Sequence, residues 1–252
     1  DYTGGSCDNP ALTGLADKRV AIVGTGATAI QAVPHLAKHA KHLYVVQRTP
    51  SCVDERPNPL TDQEWLKTLE PGWQQERIAN FQRHAMEMPK PGEPDLVCDF
   101  WTELNRNLYT GLAAEGWPEL TPEQFMARRE VVDYQVMERF RRRVDAAIPD
   151  PDLAERLKPY YRFLCKRPLS SDVYYPAFRQ DNVTLVDTSA TRGLERITEK
   201  GFVQDGVEYE VDCIIFASGF EVTSSLKRRW GFDAVDGRGG VSLYDHWSEG
   251  AK

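Results

Sequence analysis

The chain has 252 residues with a formal net charge of −7, and 41% of them are hydrophobic while 27% are charged. This balance is typical of a globular protein with one large domain or two small ones. It disfavours a nucleic acid or an anionic membrane as a partner, because either would require a strongly basic face. No apolar run approaches the roughly 20 residues that a transmembrane helix needs.

The cysteines and the first residues indicate the compartment in which the protein works. The five cysteines are widely scattered and form no Cys-x-x-Cys pair, which favours a reducing compartment over a disulfide framework or a zinc site. His35 and His39 are one helical turn apart but lack a nearby Cys or Glu partner, so no metal site is predicted. The polar stretch Asp1–Gly5 contains no signal peptide. We therefore expect a cytoplasmic protein.

Residues 18–49 predict a βαβ unit, which follows an irregular lead-in over residues 1–17. Residues 18–23 form a short β-branched run, typical of a strand buried in a parallel sheet. Residues 29–41 place apolar side chains at helical spacing, and residues 42–47 form a second strand. Strand, helix and strand within about 30 residues predict an α/β fold of the doubly wound, Rossmann-like class.

The turn between the first strand and the helix has the pattern Gly-x-Gly-x-x-Ala. Gly24 permits the tight turn, Gly26 lets the backbone approach a pyrophosphate, and Ala29 keeps the helix close to the sheet. The helix N-terminus then offers free N–H groups and a partial positive charge to the phosphates. The motif predicts dinucleotide binding; the alternative is a strand-to-helix turn with a structural role only.

The end of the second strand discriminates between the two nicotinamide dinucleotides. An NAD site places Asp or Glu about 20 residues after the glycines, where the carboxylate accepts a hydrogen bond from the ribose 2′-hydroxyl. This chain has Arg48 and Thr49 there and no carboxylate. A guanidinium pairs with a 2′-phosphate through charge-assisted hydrogen bonds, and the threonine hydroxyl adds a donor. The pattern favours NADPH; the alternative is an exposed surface arginine.

Residues 50–160 are predicted to form a helical insertion that covers one edge of the sheet. Its predicted helices span residues 62–88, 94–115 and 122–147. Residues 161–220 are predicted to be the second half of the nucleotide domain. The predicted strands of this half span residues 182–187, 201–204, 207–210 and 212–217. Asp205-Gly206 between two of them has the turn chemistry of a tight hairpin.

A second basic pair, Lys166-Arg167, follows an apolar stretch and precedes a proline. From the residues alone, a solvated loop and a functional anion site are equally open interpretations. The chain has no Gly-x-Ser-x-Gly elbow and no Tyr-x-x-x-Lys pattern. Neither a nucleophile-elbow hydrolase nor a short-chain dehydrogenase is therefore indicated.

In combination, these motifs resemble the NADPH-binding domain, with its helical insert, of the Baeyer–Villiger monooxygenases, which are FAD-dependent class B flavoprotein monooxygenases. The matching segments are residues 18–31, 47–50, 165–169, 174–175, 179–183 and 217–220. They occur in the order found in the family, and their combination is far more specific than any single segment.

The resemblance implies an activity and a role for each motif. In such enzymes NADPH reduces FAD, and the reduced flavin uses O2 to insert one oxygen atom next to a ketone carbonyl, which gives an ester or a lactone. The residues that would contact the cofactor are Gly24, Thr25, Gly26, Ala27, Thr28, Ala29, Gln31, Arg48, Thr49, Lys166, Ser218 and Gly219. Among them, Arg48, Thr49 and Lys166 would hold the 2′-phosphate. Arg167 corresponds to the catalytic arginine that stabilises negative charge on the oxygenated flavin and positions the nicotinamide.

The chain also differs from the family's usual sequence pattern. The chain contains neither the family's FAD-binding Gly-x-Gly-x-x-Gly nor its Phe-x-Gly-x-x-x-His-x-x-x-Trp fingerprint, and Ser218 replaces the usual threonine. We therefore expect a central part of a longer enzyme, with residues 221–252 leading toward an FAD domain in cis that the chain lacks. By itself the chain is expected to bind NADPH at most. Two alternatives remain: a flavin monooxygenase that oxidises nitrogen or sulfur, and a non-enzymatic NADPH-binding module.

Overall fold

A computed structural model describes residues 11–86, 89–220 and 224–250. The first ten residues of the predicted lead-in, with Cys7, lie outside the described residues. So do residues 87–88 at the end of a predicted helix, and residues 221–223 and 251–252 of the predicted exit segment. The chain divides into a first unit, Asp1–Ala217, and a second unit, Ser218–Lys252.

The described residues form the following elements. The strands are β1 (Arg19–Val23), β2 (His42–Gln47), β3 (Val53–Asp54), β4 (Leu169–Ser170), β5 (Val183–Asp187), β6 (Arg196–Ile197), β7 (Gly201–Gln204), β8 (Val207–Glu210) and β9 (Cys213–Phe216). The helices are α1 (Ala27–His39), α2 (Gln63–Lys67), α3 (Trp73–Met86), α4 (Glu103–Ala114), α5 (Pro122–Ala147), α6 (Pro151–Leu157), α7 (Tyr174–Ala177), α8 (Leu226–Trp230) and α9 (Leu243–His246).

Four parallel strands form the central sheet of the first unit, in the order β5-β2-β1-β9. The last residue of β1, Val23, is in register with Val46 of β2 and with Phe216 of β9. The carboxyl ends of these strands therefore lie along one edge of the sheet, and the chain changes direction there from one side of β1 to the other. In open α/β sheets such an edge is where ligands bind. The predicted α/β, Rossmann-like class is confirmed.

The two faces of this sheet bury different layers, because successive side chains on a strand point in opposite directions. Val20 and Ile22 of β1 pack with α1 in the largest hydrophobic cluster. Ala21 packs on the other face with Phe202 of β7. That face carries the antiparallel sheet β6-β7-β8, where a doubly wound fold usually carries helices.

The helical insertion also contributes to the core. Val144 of α5, Ala154 and Leu157 of α6, and Ile148 between the two helices are buried in the same cluster as α1. The insertion was expected to cover an edge of the sheet, and this expectation was wrong for its C-terminal part, which packs on the face that α1 covers. The reason is that this part is apolar enough to be buried beside α1.

The predicted helix over residues 94–115 also needs correction, because α4 begins only at Glu103. Asp95 explains why the helix begins later than predicted. Its carboxylate accepts hydrogen bonds from the N–H groups of Val97 and Cys98 and from the Thr102 hydroxyl. An Asp side chain that binds nearby backbone in this way stabilises a turn and competes with the helix.

The second unit contains the short helices α8 and α9. Gly231 ends α8 in the left-handed conformation, with φ of +69°, as is common at helix C-termini. Trp230 lies with its ring centroid 6.3 Å from that of Trp247. In neither unit does a described helix have both the length and the apolarity that a membrane crossing requires.

Candidate dinucleotide-binding site

The glycine-rich turn lies at the carboxyl edge of the central sheet, directly after β1. Gly24 has φ of +114°, a conformation that side chains with a Cβ rarely adopt, and its N–H donates to the Val46 carbonyl at 2.9 Å. Gly26 is exposed, and a Cβ added to it would meet no atom within 4 Å. The space beside Gly26 is thus open to a ligand that approaches the backbone closely.

The N-terminus of α1 faces the same open space. Gly26 is the N-cap residue, and no described side chain forms a capping hydrogen bond at this end of the helix. Ala29 is fully buried, which holds the first turn against the sheet, while Thr28 and Gln31 are exposed. The Gln31 amide donates to the Ala27 carbonyl at 2.9 Å. An uncapped helix N-terminus with exposed polar neighbours is well suited to bind a pyrophosphate.

The segment that follows β2 is fastened to this turn by side-chain hydrogen bonds. The hydroxyl of Thr25, which is itself buried, donates to the carbonyl of Thr49 at 2.8 Å. The hydroxyl of Ser51 donates back to the Thr25 carbonyl at 2.5 Å. Arg48 and Thr49 are therefore held beside the glycine-rich turn, with Arg48 exposed. The sequence interpretation missed Ser51, because a single serine after a strand carries no distinctive pattern.

Two further contacts bring the Lys166-Arg167 segment to the same place. Val53 and Leu169 are partners in the parallel pair β3–β4, so the residues before each strand run side by side. The hydroxyl of Tyr161 accepts a hydrogen bond from the Cys52 N–H at 2.9 Å. The Lys166 ammonium lies 5.7 Å from the centroid of the Tyr161 ring. The two predicted cationic segments, which are more than a hundred residues apart in sequence, are thus neighbours.

Electrostatics give a second sign that Arg48 and Lys166 are close. Burial lowers the pKa of the Lys166 ammonium below its usual value, and repulsion by the charge of Arg48 lowers it further. Among the residues that the structure describes, no carboxylate lies within ion-pair distance of either cation. Two like charges that influence each other, neither of them paired with a described carboxylate, form a site that favours a multiply charged anion.

Arg167 is exposed, with its guanidinium 6.0 Å from the centroid of the Trp101 ring. In the described part of the chain it too forms no ion pair. A permanently charged group with free donors at an open surface is available to a ligand. Its assignment as a catalytic residue stays a prediction.

Ser218 and Gly219 follow β9 directly in the chain and begin the second unit. Both are exposed, and Gly219 has φ of +98°. Their assignment to the cofactor site also stays a prediction.

Arg139, which the sequence interpretation did not single out, connects the insertion to the site. It lies on α5 and forms a pair of hydrogen bonds to Asp54, at 2.9 and 2.7 Å, and a second pair to Glu103, at 2.8 and 2.5 Å. Asp54 belongs to β3, shortly after the segment that carries Arg48. No local sequence pattern predicts this ion-pair cluster, because its three residues come from distant parts of the chain.

Comparisons with known proteins agree with this site. No protein-family model matches the chain. A Baeyer–Villiger monooxygenase of Streptomyces coelicolor is 48% identical over 247 residues, which cover 98% of this chain and 40% of the relative. Across the curated relatives matched, the chain spans about two fifths of their length.

Solved structures give the same result. A polycyclic ketone monooxygenase from Thermothelomyces thermophila matches with a TM-score of 0.80 and 40% identity, covering 100% of this chain and 41% of that one. A structure of OTEMO in complex with FAD and NADP matches with a TM-score of 0.60 and 25% identity, covering 94% and 44%. By sequence and by fold, the chain therefore corresponds to about two fifths of the length of known Baeyer–Villiger monooxygenases.

Proposed function

We propose that this chain is the NADPH-binding part of an FAD-dependent Baeyer–Villiger monooxygenase, which converts a small-molecule ketone and O2 into an ester or lactone. Residues 18–49 and 161–220 would form the two halves of the nucleotide domain, with residues 50–160 inserted between them. The FAD domain would lie in cis, outside this chain. Four free cysteines among the described residues support a reducing compartment, so we place the protein in the cytoplasm.

One observation carries the proposal: hydrogen bonds and a ring contact bring the segments of Arg48 and Lys166 together near the glycine-rich turn, and neither cation has a carboxylate partner among the described residues. A 2′-phosphate brings close to two negative charges, which two neighbouring cations neutralise better than one. NADH has a hydroxyl at that position, so it gains no such attraction. The site thus supports NADPH as the preferred dinucleotide.

The rest of the site fits the other parts of the nucleotide. The open space at Gly26 and the uncapped end of α1 suit the pyrophosphate. Arg167, exposed and permanently charged, is suited to hold negative charge that develops near the nicotinamide. When bound, NADPH supplies the reducing electrons and FAD supplies the oxygen-transfer chemistry. The complex of OTEMO with FAD and NADP supports both cofactors.

The decisive test compares NADPH with NADH on the purified full-length protein and on its Arg48→Ala variant. The variant loses charge-assisted hydrogen bonds to the 2′-phosphate, which are worth about 1.5–3 kcal/mol each. Because Arg48 is exposed, we expect the lower end of that range, a loss of roughly tenfold in NADPH affinity. NADH affinity should stay within about twofold of the wild type.

Fluorescence titration of each nucleotide measures both affinities. Arg162→Ala is a matched control, because Arg162 is an exposed arginine that pairs with Glu130 and touches none of the proposed nucleotide contacts. Equal affinity of the unmodified protein for the two dinucleotides would overturn the proposed function.

Alkaline pH is expected to weaken NADPH binding selectively. Because the pKa of Lys166 lies below the usual lysine value, this lysine loses its proton at a lower pH than an exposed lysine does. Deprotonation removes its attraction to the 2′-phosphate, so NADPH affinity should begin to fall at a pH below the usual lysine range while NADH affinity does not. In Lys166→Arg the guanidinium stays charged, and the alkaline loss should disappear. A pH profile that is identical for the two proteins contradicts the role of Lys166.

A further inference from the structure

Tyr161 is the side chain that contacts both cationic segments of the site. Its hydroxyl accepts the hydrogen bond from the Cys52 N–H at 2.9 Å, and Cys52 ends the segment that carries Arg48. Its ring lies under the Lys166 ammonium, 5.7 Å from centroid to nitrogen. One residue therefore touches the Arg48 segment through its polar end and Lys166 through its aromatic face.

The two cations need such a contact because they repel each other. Arg48 is exposed, and Lys166 is partly desolvated. The face of an aromatic ring attracts a cation, which compensates Lys166 for part of its lost hydration. The hydrogen bond to Cys52 is partly buried, and Cys52 itself is only 1% exposed. A bond in such surroundings holds the backbone more firmly than one in water does.

The position of Tyr161 is itself fixed by the insertion. The ring packs on the hydrophobic cluster formed by Cys52, Leu104, Val136, Met137, Phe140 and Phe163. The backbone N–H of Phe163 donates to the buried carboxylate of Asp133 on α5, at 3.0 Å to the nearer oxygen. The segment that carries Tyr161 is therefore anchored to α5 on one side and to the Arg48 segment on the other.

We propose that Tyr161 is a specificity-determining positioning residue, which sets the spacing of Arg48 and Lys166 and thereby the preference for NADPH over NADH. It acts through the two cations and does not touch the nucleotide itself. This inference rests on the proposed function, since it concerns how the same site recognises the 2′-phosphate. It predicts that changes at Tyr161 weaken the binding of NADPH and leave the binding of NADH nearly unchanged.

The test uses Tyr161→Phe, Tyr161→Leu and the control Tyr160→Phe in the full-length protein. Tyr161→Phe keeps the ring but removes the acceptor, so we expect NADPH affinity to fall by about 3- to 10-fold. Tyr161→Leu also removes the aromatic face, so a further loss of about 2- to 5-fold is expected. NADH affinity should stay within about twofold in both. Tyr160 is the matched control because its exposed hydroxyl bonds only to Glu155 among the described residues, and its variant should behave as the wild type.

Titration of both nucleotides, together with the melting temperature of each variant, distinguishes the outcomes. A merely structural role would lower the melting temperature and weaken both dinucleotides alike, and that result overturns the inference. Unchanged affinities in Tyr161→Phe overturn it as well. If the wild type prefers NADPH and Arg48→Ala removes the preference while both Tyr161 variants keep it, only this inference fails. If the wild type binds NADPH and NADH equally well, the proposed function fails, and this inference fails with it.

Discussion

Replacement of Arg167 by alanine is expected to lower ketone-dependent oxygenation by about 10²- to 10³-fold, the usual effect of removing one donor that stabilises developing negative charge. Arg167 is exposed, lies 6.0 Å from the Trp101 ring centroid and forms no ion pair with any described residue. A guanidinium that no protein carboxylate neutralises can act fully on a bound anion. The variant should therefore lose turnover while retaining NADPH affinity within a few-fold.

The measurement is ketone-dependent NADPH consumption and ester formation by the full-length protein, with nucleotide affinity measured separately. Arg167→Lys keeps the charge but loses the planar fork, so it should recover only part of the rate. Arg162→Ala, on the same segment but paired with Glu130, should leave the rate unchanged. If Arg167→Ala retains more than about a third of the wild-type rate, its assignment as the catalytic arginine is wrong, since this lies far outside the usual range.

Local sequence signals predicted the elements that depend on neighbouring residues. The expected helix over residues 122–147 matches α5, because Thr121 and Gln124 form a capping box around Pro122 at the helix start. The hairpin at Asp205-Gly206 joins β7 to β8, and both turn residues have positive φ, as a tight hairpin requires. In each case the physical cause lies within a few residues of the element that it defines.

The candidate site was only partly predictable for the same reason. The glycine-rich turn and Arg48 follow directly from β1 and β2, so their proximity could be derived from parallel strands alone. Lys166 was placed with them by resemblance, while the contacts that bring it there are non-local. Tyr161 meets Cys52 across 109 residues, and Arg139 meets Asp54 across 85. No periodicity or spacing in the sequence encodes such pairs, because they depend on how the insertion packs.

Arg139→Ala is expected to lower the free energy of unfolding by about 2–4 kcal/mol. Breaking a buried ion pair typically costs about 3–5 kcal/mol, because the partner charge is left without compensation. Here one arginine serves two carboxylates, whose side chains are only 12% and 14% exposed. The Arg139 side chain is 36% exposed, so water relieves part of the loss, and we expect less than the full range.

Denaturation by urea, followed by tryptophan fluorescence, measures this effect. Arg128→Ala is the matched control on α5, since its pair with Glu115 is exposed on both sides and should contribute less than about 1 kcal/mol. Comparable losses in the two variants would contradict the prediction.

Neutralising the stranded carboxylates separates the charge effect from lost packing. If unpaired charge is the cause, adding Asp54→Asn and Glu103→Gln to Arg139→Ala should restore part of the stability, because the three residues form one coupled network. If lost packing on Phe140 is the cause, the added changes should restore nothing, since the guanidinium lies 4.5 Å from that ring centroid in the intact protein.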